Sequence, residues 1–359
     1  MVKTFIIAEA GVNHNGSLKE ALALVDAAAE AGACAIKFQT FRASRMVTGT
    51  AAKAAYQTQF TDARESQLAM LERLEIGEAE HKALVKQCLE RKIEFISSPF
   101  DLQSVDLLVN CSARTIKIPS GEVTNGPLLW KIATTGLPSI LSTGMATLGE
   151  IESALGVLAH GYANPGLTLK NPDFLKQIRN CDLDILKEKV MLMQCTSMYP
   201  AAFDDINLKC MDTLKTAFGL RVGLSDHSVG IEVPIAAAAL GAAAIEKHFT
   251  LSRNQEGPDH QASIEPAELK SMVEMIRNVE RAIGSPRKYP VDDEFDTRSV
   301  ARRGVVAGCN IAKGMLLTEE NLVVKRPELG MSPMSYWKLL GQRASKDYTE
   351  DETISERLD

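Results

Sequence analysis

Eight short runs rich in isoleucine and valine alternate with helical patterns along the first 284 residues. The runs are nearly continuous rather than alternating in polarity, which is typical of strands buried on both faces of a parallel sheet. They lie at 5–10, 35–39, 94–99, 115–119, 139–142, 190–195, 221–225 and 243–249. The helical patterns lie at 18–31, 81–91, 102–110, 127–135, 148–160, 207–218, 233–241 and 266–283. Eight such units in this length predict a closed (β/α)8 (TIM) barrel, with a doubly wound open sheet as the alternative.

The composition changes after the sequence Gly284-Ser285-Pro286. We predict a barrel domain at 1–284, a linker at 285–298 that includes the polar, acidic stretch 287–297, and a small domain at 299–359. A domain of about 60 residues has a marginal core when it stands alone. We therefore expect it to dock onto another surface.

The charge and the cysteines exclude several classes of protein. The chain of 359 residues has a formal net charge of −6 and a pI of about 5.7, which disfavours nucleic-acid binding. No apolar run approaches the roughly 18 residues of a membrane span, and the first residues lack the pattern of a signal peptide. Seven scattered cysteines without a CxxC pair favour reduced thiols. We expect a cytoplasmic protein without nucleic-acid or membrane partners.

Polar residues collect where the predicted strands end, which is the catalytic face of a barrel of this kind. His227 and His248 end the seventh and eighth strands, which are neighbours in a closed barrel. Two imidazoles at adjacent strand ends can share one divalent ion and leave its other positions to water and substrate. The pattern therefore indicates an open metal site, and a pair of buried structural histidines is the alternative.

Two lysines lie inside predicted strands and would face the same mouth. Lys37 and Lys117 stand near Ser98, Ser120 and Ser142. Ammonium groups with hydroxyls and exposed amides suit a phosphate or a carboxylate. Two alternatives remain, a Schiff-base lysine and plain ion bridges to Glu9 and Glu122.

Two inserts interrupt the repeat. The insert at 42–77 follows the second strand, so it would lie on the catalytic face and could cover the mouth. The insert at 161–189 precedes the sixth strand and would lie on the opposite face, as surface elaboration.

The motifs taken together resemble those of bacterial sialic acid synthases from about residue 4 to residue 355. They are IIAEAGVNHNG, AIKFQT, FISSPF, KIPSGEVTN, ILSTGM, QCTSMYP, VGLSDH, IEKHFT and GPDHQAS, in that order. The C-terminal segment containing NLVVKRP resembles the antifreeze-like (SAF, β-clip type) domain of that family. The insert at 161–189 is longer than expected of the family, which leaves its role open.

This resemblance implies a transferase that condenses phosphoenolpyruvate with N-acetylmannosamine or a related N-acyl sugar such as 2,4-diacetamido-2,4,6-trideoxymannose. It implies a divalent metal, with Mn²⁺ expected and Mg²⁺ or Co²⁺ as alternatives. It also implies a domain-swapped homodimer in which the small domain of one chain covers the barrel mouth of the other. The product would be N-acetylneuraminate or legionaminate, and stretches such as PFDLQSVDLL look more like legionaminic acid synthases.

The same resemblance assigns roles to individual residues. His227 and His248 would be the metal ligands. Phosphoenolpyruvate would lie on Lys37, Ser98, Lys117, Ser120 and Ser142. Sugar contacts would include Gln39, Tyr199, Asp259 and, from the partner chain, Arg326 at the N-acyl group. Glu9, Glu122 and Glu246 would be the polar groups near the reacting atoms.

Two other functions remain as alternatives. One is a phosphoenolpyruvate-dependent synthase for a phosphorylated aldose, which would need a further cationic cluster. The other is a non-catalytic sugar-binding protein built on the C-terminal segment, which would leave the polar strand ends unexplained.

Overall fold

A computed structural model describes residues 3–53, 65–166 and 184–355. The chain forms two compact units, Met1–Gly284 and Ser285–Asp359, called here the barrel unit and the C-terminal unit. Among the described residues no helix combines the length and the apolar character needed to cross a membrane.

The barrel unit contains a closed barrel of parallel strands in the order β1 to β8. The strands are β1 Phe5–Gly11, β2 Ala35–Thr40, β3 Glu94–Pro99, β4 Thr115–Ile118, β5 Ser139–Ser142, β6 Val190–Cys195, β7 Arg221–Asp226 and β8 Ala244–His248. The predicted TIM barrel is confirmed, and the open-sheet alternative is wrong because β1 pairs with β8 along the seam.

Helices connect the strands, and most of them pack their apolar faces on the outside of the barrel. They lie at Leu18–Glu30, Ala43–Met46, Gln67–Glu72, Glu78–Arg91, Leu102–Asn110, Gly126–Thr134, Leu148–Ala163, Asp184–Lys189, Phe203–Ile206, Cys210–Phe218, Glu232–Ala239 and Pro266–Ile283. Short polar side chains begin several of them: Ser17, Asp101 and Thr147 each accept a hydrogen bond from a backbone N–H of the first turn. These caps fix the residues at which the helices begin.

The strand register separates the barrel interior into an apolar layer and a polar layer. Ile7, Ala35, Ile96, Ile140 and Met191 belong to one buried cluster in the lower layer. Two residues further along β1 and β2, Glu9 pairs with Lys37, and across the seam Glu9 pairs with His248. Because side chains repeat every two residues along a strand, the polar groups follow the apolar ones toward the carboxyl ends of the strands.

The two inserts differ in how much of them is described. In the first, the helices Ala43–Met46 and Gln67–Glu72 pack together around a small apolar cluster, and residues 54–64 lie outside the described ranges. In the second, the helix Leu148–Ala163 and the helix Asp184–Lys189 are described, whereas 167–183 are not. The predicted role of the 161–189 insert as surface elaboration therefore remains a prediction.

The C-terminal unit holds an antiparallel pair, β9 Gly304–Ala307 and β10 Leu322–Lys325, and a short helix at Tyr336–Leu339. Its core includes Val305, Leu317 and Tyr348. The helix Asp292–Ala301 lies mostly within the predicted linker at 285–298 and extends into the predicted domain at 299–359. Three acidic residues in its first turn favour the positive end of the helix dipole, and Glu294 accepts a hydrogen bond from the Val291 amide at 3.0 Å.

Candidate active site

A cavity of about 340 Å³ opens at the carboxyl ends of the barrel strands. Most of the side chains predicted from the sequence line it, and they come from all eight strands or the loops that follow them. These are Glu9, Lys37, Gln39, Ser98, Lys117, Ser120, Ser142, Tyr199, His227, Glu246, His248 and Asp259.

Two lysines and two glutamates form the floor of the cavity. The Lys37 ammonium lies 2.7 Å from Glu9 Oε1 and 3.8 Å from Glu246 Oε1. The Lys117 ammonium lies 3.2 Å from the same Glu246 oxygen. Each lysine also donates to a serine hydroxyl, Lys37 to Ser98 at 3.3 Å and Lys117 to Ser142 at 2.7 Å. The second carboxylate oxygens of both glutamates are buried without a hydrogen-bond partner among the described residues.

The two glutamates respond differently to burial. Burial raises the pKa of Glu9 to about 7, against the opposing influence of Lys37. Burial would also raise the pKa of Glu246, but Lys117 and Lys37 outweigh it and lower that pKa to about 2. The lysines therefore favour the carboxylate form of Glu246, whereas burial favours the protonated form of Glu9.

His227 and His248 face one another beside Tyr199. The two imidazole centroids are 5.3 Å apart, and the tyrosine ring lies 4.2 Å from the first and 5.5 Å from the second. Nδ1 of His227 donates to the Thr196 carbonyl at 2.7 Å, which leaves Nε2 as the acceptor nitrogen. Burial and the neighbouring His227 hold the pKa of His248 well below its usual value.

These two side chains suit a divalent cation. A metal ligand must be a neutral imidazole with a free nitrogen, oriented by a hydrogen bond from its other nitrogen where possible. Nδ1 of His248 is buried without a partner in the described part of the chain, as an open ligand position would be. The described residues contain no group of three or more His, Cys, Asp or Glu side chains that could hold a metal. A cation held here would take His227 and His248 as its protein ligands, with water and substrate at its other positions.

Hydroxyl groups line the side of the cavity near β4 and β5, and Gly144 packs closely behind two of them. The Gly144 amide donates to the Ser120 hydroxyl at 3.0 Å. A Cβ atom at Gly144 would lie 2.3 Å from the hydroxyl oxygen of Ser197 and 2.9 Å from that of Ser120. Only glycine lets the backbone approach these hydroxyls so closely.

Two predicted site residues do not join this cavity. Glu122 lies in a short 3₁₀ turn after β4, where it accepts a hydrogen bond from the Asn125 side chain at 2.5 Å, and it is not among the lining residues. Its predicted place near the reacting atoms therefore stays a prediction. Arg326 is an exposed residue of the C-terminal unit.

Some lining residues were not assigned to the site from the sequence. Ser225 donates to Glu246 Oε1 at 2.9 Å, and its place at the end of β7 was the available signal. Cys195 and Ser197 also line the cavity. The insert after β2 adds Met46, Gln67, Met70, Leu71 and Leu74, so its predicted place on the catalytic face is confirmed. That it covers the mouth stays a prediction.

Comparison with known proteins gives a consistent result. Residues 24–288 match a family described as NeuB. The N,N'-diacetyllegionaminic acid synthase of Campylobacter jejuni is 46% identical over 99% of this chain and 100% of that protein, and the Legionella pneumophila enzyme of the same name is 41% identical over 98% and 93%. A crystal structure of the sialic acid synthetase of Leptospira borgpetersenii in complex with citrate is 32% identical, with a TM-score of 0.66 over 82% of this chain and 90% of that one.

Proposed function

The chain belongs to the NeuB family, and on that premise we propose that it is a nonulosonic (sialic) acid synthase. It condenses phosphoenolpyruvate with 2,4-diacetamido-2,4,6-trideoxymannose or N-acetylmannosamine, releasing phosphate and legionaminate or N-acetylneuraminate. The observation that carries this proposal is the meeting of two lysines, three serines and a pair of imidazoles in one cavity.

The lysines and serines form the place for phosphoenolpyruvate. Lys37 and Lys117 offset the charge of its carboxylate and phosphate, and Ser98, Ser120 and Ser142 donate hydrogen bonds to their oxygens. Among the described lining residues, the lysine and arginine positions are Lys37 and Lys117 alone. A phosphorylated aldose would therefore find no second group of cations there, which favours an uncharged sugar.

His227 and His248 would hold a divalent ion, with Mn²⁺ expected. When bound, such an ion supplies Lewis-acid polarisation of the sugar aldehyde. The side chains of Gln39, Tyr199 and Asp259 stand at the cavity wall, where they can hold the open-chain sugar in place.

The reaction follows from this arrangement. The enol carbon of phosphoenolpyruvate attacks the aldehyde carbon, and the aldehyde oxygen takes up a proton. Water then adds to the carbon that bears the phosphate and loses a proton, and collapse of that intermediate expels phosphate and leaves a ketone. Glu9 can give or accept these protons because its pKa lies near 7. The lysines stabilise the negative charge on the leaving phosphate.

A second copy of the chain would complete the site. Exposed apolar side chains follow the strands β5 to β7 at Met145, Met198, Phe203 and Val229, and others lie on the C-terminal unit at Leu329, Met334 and Trp337. Such surfaces favour association, and a homodimer would cover both. In that dimer Arg326 of one chain binds the N-acyl oxygen of the sugar held by its partner.

Phosphate release from phosphoenolpyruvate tests the proposal. The purified protein is incubated with each of the two sugars, with Mn²⁺ or with EDTA. We expect phosphate and a new nonulosonic acid by mass spectrometry, and at least a hundredfold loss with EDTA. Lys117→Met should raise the KM for phosphoenolpyruvate tenfold or more while the KM for the sugar changes little, because the charge is lost and the stem is kept.

Lys82→Met is the matched control, since Lys82 is an exposed helical residue paired with Glu78. It should behave as the wild type. Release of phosphate without sugar, or turnover that is unchanged by EDTA, would contradict the proposal. Trapping of a substrate on Lys117 by borohydride would support the Schiff-base alternative instead.

A further inference from the structure

Behind the histidine pair, two side chains of opposite charge are buried together. The Lys247 ammonium lies 2.5 Å from Asp226 Oδ2, and the two side chains are 1% and 0% exposed. Neither residue lines the cavity, and the reaction described above uses neither. They are called here the buried ion pair. Apolar residues of similar volume are often as stable in such a place or more stable, so stability alone does not account for the pair.

The strand register places the buried ion pair on the outer face of the barrel. Asp226 in β7 and Lys247 in β8 are partners in the parallel ladder. Glu246 and His248, which precede and follow Lys247, line the cavity. Ser225, which precedes Asp226, lines it as well. Because successive side chains of a strand point to opposite faces, the buried ion pair points away from the cavity and joins β7 to β8 from outside.

The same two side chains hold the residue that follows His227. Asp226 accepts hydrogen bonds from the Ser228 amide and the Ser228 hydroxyl, each at 3.0 Å. Lys247 donates to the Ser228 carbonyl at 2.5 Å. All three polar groups of Ser228 therefore bind the buried ion pair. Since His227 lies between Asp226 and Ser228, the backbone on both sides of this imidazole is tied to β8, where Lys247 adjoins His248.

His227 is also fixed from the side of β6. The Ala201 amide donates to the His227 carbonyl at 2.9 Å, and Nδ1 of the ring donates to the Thr196 carbonyl at 2.7 Å. The loop after β6 thus holds the residue on one side and the buried ion pair holds it on the other. In this arrangement the imidazole centroids of His227 and His248 are 5.3 Å apart.

We propose that Asp226 and Lys247 are positioning residues, which hold His227 and His248 at the separation that a shared divalent cation requires. The inference rests on the proposed function, because that function supplies the cation. Both side chains point away from the cavity, so they act through Ser228 and the backbone of β8. Metal sites depend on such outer contacts, and the loss of one typically lowers the affinity for the metal about ten- to a hundredfold.

A double variant removes the buried ion pair without leaving one charge unpaired. Asp226→Asn keeps an oxygen that can accept from the Ser228 amide, and Lys247→Met keeps most of the volume of the stem, so the protein should fold. Metal-free protein is titrated with Mn²⁺ by calorimetry. We expect the Kd for Mn²⁺ to rise about ten- to a hundredfold. The Kd for phosphoenolpyruvate, measured in EDTA, should stay as in the wild type, because the lysines and serines of the floor are unchanged.

A purely structural role predicts a different pattern. It would lower the urea midpoint, or weaken the binding of Mn²⁺ and phosphoenolpyruvate alike, without a selective loss of metal affinity. His248→Ala supplies a second readout. If the buried ion pair acts through the histidines, its removal from His248→Ala should change the Kd for Mn²⁺ far less than its removal from the wild type, because both changes then act on one site.

Asp106→Asn with Lys131→Met is the matched control. Asp106 and Lys131 form an ion pair at 2.6 Å between the helices Leu102–Asn110 and Gly126–Thr134, which follow β3 and β4. The control makes the same two chemical changes on the outside of the barrel and should leave the Kd for Mn²⁺ as it is. Ser228→Ala is a milder test that removes only the hydroxyl contact with Asp226, and its Kd for Mn²⁺ should rise by less than in the double variant.

An unchanged Kd for Mn²⁺ in the folded double variant, judged by circular dichroism, would overturn the inference, and so would an equal loss of affinity for Mn²⁺ and phosphoenolpyruvate. If the double variant does not fold, an unchanged Kd in Ser228→Ala overturns it. A wild type that releases phosphate with a sugar but does not bind Mn²⁺ would overturn the inference and leave the synthase activity standing. Absence of phosphate release with both sugars would contradict the proposed function, whereas a selective loss of Mn²⁺ affinity in the double variant would still support the positioning role.

Discussion

The contacts of Glu246 show how two lysines and two glutamates can be buried together at the floor of the cavity. One of its oxygens accepts from Lys117 at 3.2 Å and from Ser225 at 2.9 Å, with Lys37 at 3.8 Å. A buried charge that loses its partner costs several kcal/mol, about 3–5 in typical cases. The two lysines and two glutamates therefore form one coupled group, and a bound anion changes the balance of all four.

Glu9 should make the binding of phosphoenolpyruvate depend on pH. Its pKa of about 7 means that it is mostly neutral below pH 7 and mostly a carboxylate above it. A second negative charge beside Lys37 competes with an anionic ligand. We therefore expect the Kd for phosphoenolpyruvate to rise between pH 7 and pH 9, by at most tenfold per pH unit because one proton is linked.

Calorimetric titration at several pH values checks this, and Glu9→Gln is the comparison. The amide oxygen can still accept the hydrogen bond from Lys37 but cannot ionise. The variant should bind phosphoenolpyruvate with nearly constant affinity over the same range, in which the ligand phosphate is already ionised. A wild-type Kd that falls with rising pH would show that Glu9 does not compete with the anion.

At the scale of elements, the strands were predictable because a buried parallel strand is a continuous apolar run. Residues 94–99, 139–142 and 190–195 are strands with the predicted bounds. The polar groups at the strand ends were predictable for the same reason, since the register brings those ends together. Glu122 lies in a turn, so the direction of its side chain depends on that turn and not on the period of the strand.

Two other elements carried weaker signals. The helix Asp292–Ala301 is polar on most of its surface, with none of its residues buried, so its sequence lacks the apolar stripe by which helices are recognised. The apolar residues of the insert that line the cavity, such as Met70 and Leu74, look like ordinary core residues in the sequence. Their position at the cavity depends on the tertiary structure, so the sequence pattern alone does not predict it.

Gly223 offers a test of the contact between β7 and β8. A Cβ atom there would lie 2.4 Å from the backbone oxygen of Ala244, which cannot move without shifting β8. Gly223→Ala should lower the free energy of unfolding by about 1–3 kcal/mol, the usual cost of overpacking. Because β8 carries Glu246 and His248, kcat/KM should fall more than tenfold in the protein that remains folded.

Gly149→Ala is the matched control for this prediction. Gly149 lies in the helix Leu148–Ala163, and a Cβ atom there meets nothing within 4 Å. Since alanine favours the helix, this change should leave activity intact and be neutral or stabilising by up to about 1 kcal/mol. Urea unfolding and steady-state kinetics measure both effects, and equal behaviour of the two variants would contradict the steric argument.

At the scale of the whole molecule, Arg326 could act at the barrel of its own chain or at the barrel of a partner chain. His248→Ala should inactivate the barrel of its own chain, and Arg326→Ala should inactivate the barrel that this arginine serves. If sites are shared between chains, mixing the two variants with subunit exchange should restore about a quarter of the wild-type activity. Half of randomly formed dimers are mixed, and each mixed dimer has one complete site.

Subunit exchange must be followed separately, for example with chains carrying different tags. An absence of recovery in mixed dimers would mean that each chain serves its own barrel or that Arg326 takes no part. Full activity of Arg326→Ala alone would mean that Arg326 takes no part.

The seam between β1 and β8 also has a consequence for how the protein is made. Glu9 and His248 are neighbours across it, although nearly all of the barrel sequence separates them. A ribosome synthesises Glu9 and Lys37 early and releases His248 only at the end of the barrel. Until Ala244–His248 pairs with β1 and β7, the edges of those two strands are open. The site also lacks Glu246 and His248 until then. Recovery of catalysis during refolding should therefore follow the slowest, long-range step, and earlier intermediates with much secondary structure should be inactive.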